Sequence, residues 1–244
     1  MNTTVKQLSK ITLADLAIQP FLEVNSAADS FYNTSGKIKT GFAVAINAEK
    51  LVTCYQDPAY KQLISTSTVA FADGIPVVWL MSRKGKAGKR IPGCELWESL
   101  MQKAGVHQSF VYLLGASERV NALTQIKLQQ QYHVNIVGAH SGYFDDNGLI
   151  IEQITKSRAQ IVCVAMGSPK QEKFIAECRE KYPNTLYIGV GGSYDVFVDE
   201  VKRAPRWMQR IHLEWLFRLV VQPTRISRQL RLLQFIGLFI RGKF

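Results

Sequence analysis

A lone carboxylate, Asp73, stands in an otherwise apolar run, VAFADGIPVVWL at residues 69–80. Removing a carboxylate from water is unfavourable unless the group is paired or shifts its pKa, so this position needs a reason. Asp-Gly is typical of a turn that ends a strand, and Pro76 suits the first turn of a following helix. A carboxylate held at the mouth of a sheet could instead accept a proton during catalysis. The pattern alone favours the turn and leaves the general base open.

A second candidate is the junction MGSPKQE at residues 166–172. Ser168 is expected to cap a helix, with Pro169 at its first position and Gln171 completing an S-x-x-Q capping box. The same helix N-terminus would present backbone N–H groups to an anion, with Lys170 and Gln171 beside it. A structural cap and an anion-binding site both follow from these residues.

A glycine-rich loop, GVGGSYD at residues 189–195, follows a third apolar run. Its glycines could simply allow close packing, and it matches neither the Walker A pattern nor a G-x-G-x-x-G fingerprint. The acidic turn FDDNG at 144–148 lacks the spacing of a calcium loop, no D-x-D pair is present, and the four histidines are dispersed. We therefore predict no metal site and no cofactor.

The elements that must position these residues follow from short apolar runs that alternate with segments of helical period. The predicted strands cover 41–46, 68–72, 109–115, 134–138, 160–166 and 185–191, each apolar on both faces. The predicted helices cover 94–105, 117–132, 147–158 and 169–182. This rhythm predicts an α/β fold, a parallel sheet with helices on both faces. Ligands of such sheets bind outside the carboxyl ends of the strands, so the turns after the strands are expected on one rim.

Composition limits the class of protein. The chain has 244 residues, of which 47% are hydrophobic and 20% charged, as in a globular protein. The four cysteines are scattered without a CxxC pair, which favours a reduced cytoplasmic protein. The first thirty residues show no signal-peptide core, and the longest apolar run, LLQFIGLFI at 232–240, is too short to span a bilayer.

The net charge of +11 is concentrated at the C-terminus, where residues 202–244 hold ten Lys and Arg against one acid. Such a segment indicates an anionic partner: a nucleic acid, a phosphorylated substrate or a membrane surface. The part before Pro223 is expected to pack a helix on the sheet. A second helix after Pro223 carries Arg225, Arg228 and Arg231 beside bulky aliphatic residues, which favours contact with an anionic membrane over a solvated face.

Six segments, taken in order, resemble one known family: ADGIPVV, RIPGCELWE, VAMGSPKQE, GVGGSYDVF, KRAPRW and LEWLFRL followed by QPTRISRQLRLL. From about Gly41 to the C-terminus, the chain is similar to the WecG/TagA/CpsF glycosyltransferases of bacterial surface-polysaccharide assembly. INAEK, VNIVG, SGYF, VKRAP and RQLRLL look closest to the members that transfer N-acetyl-D-mannosaminuronic acid for the enterobacterial common antigen.

The resemblance implies a fold and a reaction. The fold would be a Rossmann-like core over residues 1–200 with a basic, amphipathic helical appendage over 201–244 that docks on the membrane. The reaction would be a metal-independent, inverting transfer from a UDP-sugar donor to GlcNAc on undecaprenyl diphosphate, at the cytoplasmic face of the inner membrane. The partners would then be these two substrates and the membrane surface, with no nucleic acid, and a homo-oligomer stays open.

The resemblance also implies roles for single residues. Asp73 would be the general base. Substrate binding would fall to Asn47, Arg90, Gly93, Gln171 and Asp195. The lipid-linked diphosphate would be bound by arginines of the tail: Arg203, Arg206, Arg218, Arg225, Arg228 and Arg231. One departure is Ala45, where relatives often carry a Thr whose hydroxyl this chain lacks.

Three alternatives remain at this point. A related enzyme would use UDP-N-acetylmannosamine, whereas a uronate donor needs a cation near its carboxylate, for which Lys170, Arg83 and Lys202 are candidates. A nucleic-acid-binding protein fits the sequence pI of about 9.6, but the tail interleaves arginine with bulky aliphatics and contains no recognised binding motif. A catalytically silent lipid-binding protein would tolerate loss of the Asp73 carboxylate.

Overall fold

The structure is a computed structural model that describes residues 8–85, 87–202, 204–205, 208, 217 and 226–244, with only the backbone of 226–229. Some of the tail arginines assigned to the lipid-linked diphosphate therefore lie outside the described residues: Arg203, Arg206, Arg218 and Arg225. Arg228 is described only as part of a helix backbone, and Arg231 is described in full.

One eight-stranded sheet organises the chain, in the order β1-β2-β4-β3-β8-β7-β5-β6. Its strands are β1 (Ile11–Leu13), β2 (Leu16–Ile18), β3 (Gly41–Ile46), β4 (Val69–Ala72), β5 (Phe110–Gly115), β6 (Asn135–His140), β7 (Ile161–Ala165) and β8 (Leu186–Gly189). Only β1 and β2 pair in antiparallel fashion; every other neighbouring pair is parallel. The carboxyl ends of seven strands, β2 to β8, therefore meet at one edge.

Helices cover both faces of this sheet. Their bounds are α1 (Val24–Asp29), α2 (Ala48–Gln56), α3 (Pro58–Ser65), α4 (Ile75–Arg83), α5 (Gly93–Val106), α6 (Glu118–Tyr132), α7 (Asn147–Ser157), α8 (Lys170–Lys181), α9 (Ser193–Phe197) and α10 (Ile226–Ile240). One core packs α2, α3, α4, α7, α8 and α10 on the first face, and a second core packs α1, α5, α6 and α9 on the other. The predicted α/β fold, with a mostly parallel sheet and helices around it as in Rossmann-like proteins, is confirmed.

Local sequence explains where several elements begin and how they pack. The side chain of Asp57 caps α3 ahead of Pro58, and Asp146 caps α7. Every residue of β7, IVCVA, is buried, as expected for a strand covered on both faces. The prediction that 134–138 forms a buried strand was wrong in one respect: β6 is the edge strand, and all its residues are half-buried.

Among the helices of the described ranges, none is long and apolar enough to cross a membrane. The helix predicted after Pro223 is present as α10, which packs along α2.

Candidate functional site

A cleft of about 340 Å³ opens at the carboxyl ends of β3, β4, β7 and β8. The residues to which the resemblance assigned catalysis or substrate binding all line it: Asn47, Asp73, Arg90, Gly93, Gln171 and Asp195. They come from turns spread over some 150 positions of sequence and meet because parallel strands end at the same edge. Of four turns that follow strands in the sequence, three contribute residues to the cleft, ADG at 72–74, AMGSP at 165–169 and GVGGSYD at 189–195. The fourth, LGAS at 114–117 after β5, does not line it.

Asp73 follows β4 directly, and its backbone N–H donates to the carbonyl of Ile46 at 2.9 Å. Gly74 then caps α4, with Pro76 in the first helical turn, so the predicted turn is confirmed. That turn also presents the carboxylate to the cleft. Asp73 Oδ1 lies 3.7 Å from Arg90 Nε, and both side chains are about a quarter exposed, at 24% and 26%. The turn and the cleft-facing carboxylate are thus the same feature.

The helices α2, α5 and α8 begin at the wall of the cleft. Asn47 follows β3 and caps α2 by accepting a hydrogen bond from the backbone N–H of Lys50 at 2.8 Å. Gly93 begins α5, where a Cβ would lie 3.3 Å from Asp73 Oδ2, so the carboxylate sits tightly against this helix. The first turn of α8 supplies the third N-terminus. The positive ends of these helix dipoles favour an anionic ligand such as a diphosphate.

The glycine-rich loop after β8 is held by Gln171. Gln171 is only 4% exposed, and its side-chain carbonyl oxygen accepts from the Gly191 N–H at 3.0 Å. A Cβ on Gly189 would approach Gln171 Nε2 to 2.5 Å, so close packing requires glycine there, and Gly191 has a φ of +53°. Asp195 lies beyond this loop in α9 and lines the same cleft.

Next to the cleft lies a buried ion pair that the sequence analysis missed. Lys50 Nζ contacts Glu172 Oε1 at 2.8 Å, and the two side chains are 6% and 0% exposed. Glu172 also accepts from Ser168 Oγ at 2.8 Å, Gln171 Nε2 at 2.9 Å and Tyr60 OH at 3.1 Å. Burial raises the pKa of Glu172, but the Lys50 ammonium and the surrounding donors outweigh it and hold the pKa below its usual value. Burial, followed by the Glu172 charge, raises the pKa of Tyr60.

This network overturns the predicted capping box. The helix α8 begins at Lys170, one residue later than expected, and Ser168 makes no cap hydrogen bond to it. Pro169 is the residue at the N-cap, and the Ser168 hydroxyl donates to the buried Glu172 carboxylate, a charge-assisted hydrogen bond. The available signal was that INAEK and PKQE, each just after a strand, both contain one acidic and one basic residue.

Of the three cations considered as partners of a donor carboxylate, one lies at the cleft and two lie elsewhere. Lys202 lines the cleft. Arg83 instead stacks on the rings of Trp79 and Phe239, at 5.2 and 5.3 Å, and Lys170 lies over the ring of Phe144 at 5.5 Å. Neither Arg83 nor Lys170 lines the cleft. Ala45, which stands where relatives often carry a Thr, does line it.

Arg231 connects the C-terminal helix α10 to the cleft wall. Its guanidinium contacts Glu49 Oε1 and Thr53 Oγ1 of α2, each at 3.1 Å. Glu49 itself lines the cleft. The outer face of α10 exposes large apolar side chains: Leu230, Leu233, Ile236 and Ile240. On its inner side Phe235 is buried and stacks on Phe244.

The arrangement suits transfer chemistry on a phosphorylated substrate: one carboxylate beside a guanidinium, in a polar cleft surrounded by helix N-termini. Within the described ranges, no three His, Cys, Asp or Glu side chains are grouped so as to hold a metal ion. Comparison with known families adds an independent finding, since the family model described as "Glycosyl transferase WecG/TagA/CpsF family" matches residues 11–244. The chain therefore belongs to the WecG/TagA/CpsF family of glycosyltransferases, which transfer sugars from UDP-linked donors in polysaccharide synthesis.

Proposed function

We propose that this glycosyltransferase moves N-acetyl-D-mannosaminuronic acid from UDP to GlcNAc-diphosphate-undecaprenol, with inversion, in enterobacterial common antigen biosynthesis. The observation that carries the proposal is the meeting of Asp73, Arg90 and the N-termini of α2, α5 and α8 in one cleft. The choice of sugar and acceptor within the family rests on the motif resemblance described above.

Asp73 is the proposed general base. In an inverting transfer the acceptor hydroxyl attacks the anomeric carbon from the side opposite the UDP leaving group, and its proton must be taken up as the new bond forms. A carboxylate at the mouth of the sheet can accept this proton, and such catalysis typically contributes roughly 10²–10⁴-fold in rate. Arg90, 3.7 Å from Asp73 Oδ1, orients the carboxylate and adds positive charge beside the reacting centre.

The UDP diphosphate is proposed to bind at the N-termini of α2, α5 and α8. Negative charge grows on the leaving diphosphate as the glycosidic bond breaks. Fixed N–H dipoles and a guanidinium stabilise that charge most effectively when they are already in place before the reaction. Asn47, Gly93, Gln171 and Asp195 would surround the nucleotide and the sugar.

Lys202 is the proposed partner of the donor carboxylate. Of the three cations that the sequence left open, it lines the cleft while Arg83 and Lys170 contact aromatic rings elsewhere. A uronate differs from the parent sugar by one negative charge, so a single ammonium can discriminate between the two donors.

The C-terminal helix α10 is the proposed membrane contact, within an appendage spanning residues 201–244. Its outer face exposes Leu233 at 65% and Ile240 at 76%, a pattern typical of helices that lie in a membrane interface. Arg231 of this helix contacts Glu49, which lines the cleft, so a membrane-bound α10 would hold the cleft close to a lipid-linked acceptor. The enzyme would then act as a peripheral protein at the cytoplasmic face of the inner membrane.

A donor panel tests this proposal. Purified protein receives a GlcNAc-diphosphate-lipid acceptor in membranes together with UDP-N-acetylmannosaminuronate, UDP-N-acetylmannosamine or UDP-GlcNAc, and UDP release is followed. We expect turnover with the uronate alone, and a higher KM for it in Lys202→Gln but not in the control Lys170→Gln. Preference for uncharged N-acetylmannosamine would contradict the donor assignment, and no turnover with any donor would contradict the transferase.

A further inference from the structure

The ion pair of Lys50 and Glu172 is expensive to bury, and its place in the fold is informative. Two charges removed from water lose hydration that their mutual attraction offsets only when the geometry is good, and well-packed apolar side chains often serve stability equally well. This pair does not sit deep in the core. It lies directly behind the cleft wall, where Lys50, Ser168 and Gln171 line the cleft.

Hydrogen bonds through Glu172 tie separate parts of the cleft together. Its carboxylate accepts hydrogen bonds from Lys50 of α2, from Tyr60 of α3, and from Ser168 and Gln171 at the start of α8. Gln171 in turn accepts from the Gly191 N–H at 3.0 Å. The segments that follow β3, β7 and β8 are thereby joined through one carboxylate.

The carboxylate also fixes which way the Gln171 amide points. A carboxylate only accepts hydrogen bonds, so it requires the NH₂ group of the amide on its side, at 2.9 Å. The amide oxygen is then left to face the Gly191 N–H. The reverse orientation would place oxygen against carboxylate and NH₂ against N–H, leaving both contacts repulsive in a buried site.

We propose that Glu172, charge-balanced by Lys50, is a positioning residue: by orienting the Gln171 amide it holds the glycine-rich loop 189–192 in the shape that receives the donor nucleotide. That the ligand is a nucleotide sugar rests on the proposed function. Glu172 acts through Gln171 and the loop, so its loss should weaken donor binding while leaving the chemical step at Asp73 largely intact.

The test compares two double variants that share the loss of Lys50. Lys50→Met with Glu172→Met removes both charges and the acceptor for the Gln171 amide, and avoids an uncompensated buried charge. Lys50→Met with Glu172→Gln restores a neutral acceptor. Thr185→Val is the matched control, since it removes another fully buried hydrogen bond, to the Ala159 carbonyl, at the far end of β8. Donor KM, kcat, and amide hydrogen exchange at Gly191 are measured for each.

We expect the Met/Met variant to raise donor KM about tenfold, equivalent to about 1.4 kcal/mol, with kcat changed much less and faster exchange at Gly191. The Met/Gln variant should recover most of the wild-type KM, and Thr185→Val should change neither KM nor Gly191 exchange. Equal KM values for the two double variants, or unchanged exchange at Gly191 in Met/Met, would overturn the inference.

Two further measurements keep the outcome decisive. If circular dichroism shows that the Met/Met variant does not fold, Gln171→Met is used instead, because it removes the hydrogen bond from the Gly191 N–H directly. Unchanged exchange at Gly191 in that variant would reject the inference. If the wild type transfers no sugar, the proposed function fails by itself. Gly191 exchange still decides the positioning of the loop, because it needs no substrate.

Discussion

Replacing Asp73 by Asn should remove activity far more than stability. The amide is isosteric, so Asn fits between Arg90 and Gly93 without a cavity. The ion pair between Asp73 and Arg90 is long, at 3.7 Å, and both side chains are about a quarter exposed. Partly solvated pairs of this kind contribute about 1 kcal/mol or less, a shift of at most about 4 °C in Tm for a chain of this size.

The effect on rate is expected to be much larger. An amide cannot take the acceptor proton, and loss of a general base lowers kcat by roughly 10²–10⁴-fold, a barrier increase of about 3–5 kcal/mol. UDP affinity should stay near the wild-type value, because the diphosphate contacts lie at the helix N-termini.

The assay pairs single-turnover kinetics with thermal unfolding and UDP calorimetry. Asp15→Asn is the matched control, because Asp15 also forms an ion pair, with Lys61 at 2.6 Å, but lies in the β1–β2 turn and is 83% exposed. We expect wild-type kcat from the control and a loss of at least about 100-fold from Asp73→Asn. If Asp73→Asn kept more than a tenth of the wild-type kcat, the assignment of the base would be refuted.

Two further predictions follow from contacts of the described residues, and a third from the tail arginines that the resemblance assigns to the lipid-linked diphosphate. The folded-state pKa of Glu172 is depressed, so its contribution to stability is present at neutral pH and is lost as the pH falls through and below the ordinary pKa of a Glu. The Tm measured from pH 7 to pH 3 should therefore fall less steeply in Glu172→Gln than in the wild type. Gly189→Ala places a Cβ 2.5 Å from a buried amide nitrogen and should weaken UDP binding about tenfold by calorimetry, with an unchanged Kd contradicting the packing argument. Replacing Arg225, Arg228 and Arg231 together by Gln should raise the KM for lipid acceptor more than the Kd for UDP, and equal losses would assign these arginines to the donor site.

Much of the architecture followed from the sequence, because buried parallel strands and their following helices have distinct hydrophobic patterns. The six predicted strands and four predicted helices are present within a few residues of the expected bounds. The N-terminal hairpin was not predicted, because β1 and β2 have three residues each, too few for a periodic signal. The edge position of β6 depends on strand order, which periodicity does not encode.

The candidate site likewise contains some residues that the sequence could predict and others that it could not. Asp73 was recognisable because a single charge in an apolar run has a local signature. The pairing of Lys50 with Glu172 joins residues 122 positions apart and exists only once β3 and β7 end at the same edge. Ser168 shows how tertiary structure overrides a local rule: its sequence fits a capping box, but in the fold its hydroxyl donates to a buried carboxylate and the helix begins at Lys170.

Analysis of the product tests the central claim most directly. Wild-type protein is given UDP-N-acetylmannosaminuronate, ¹³C-labelled in the sugar, with the GlcNAc-diphosphate-lipid acceptor, and the anomeric carbon of the product is assigned by NMR. We predict a lipid-linked disaccharide whose new bond has the opposite anomeric configuration to the donor, formed in equal amount to UDP. Retention of configuration, or release of free sugar without a disaccharide, would contradict a single displacement assisted by Asp73.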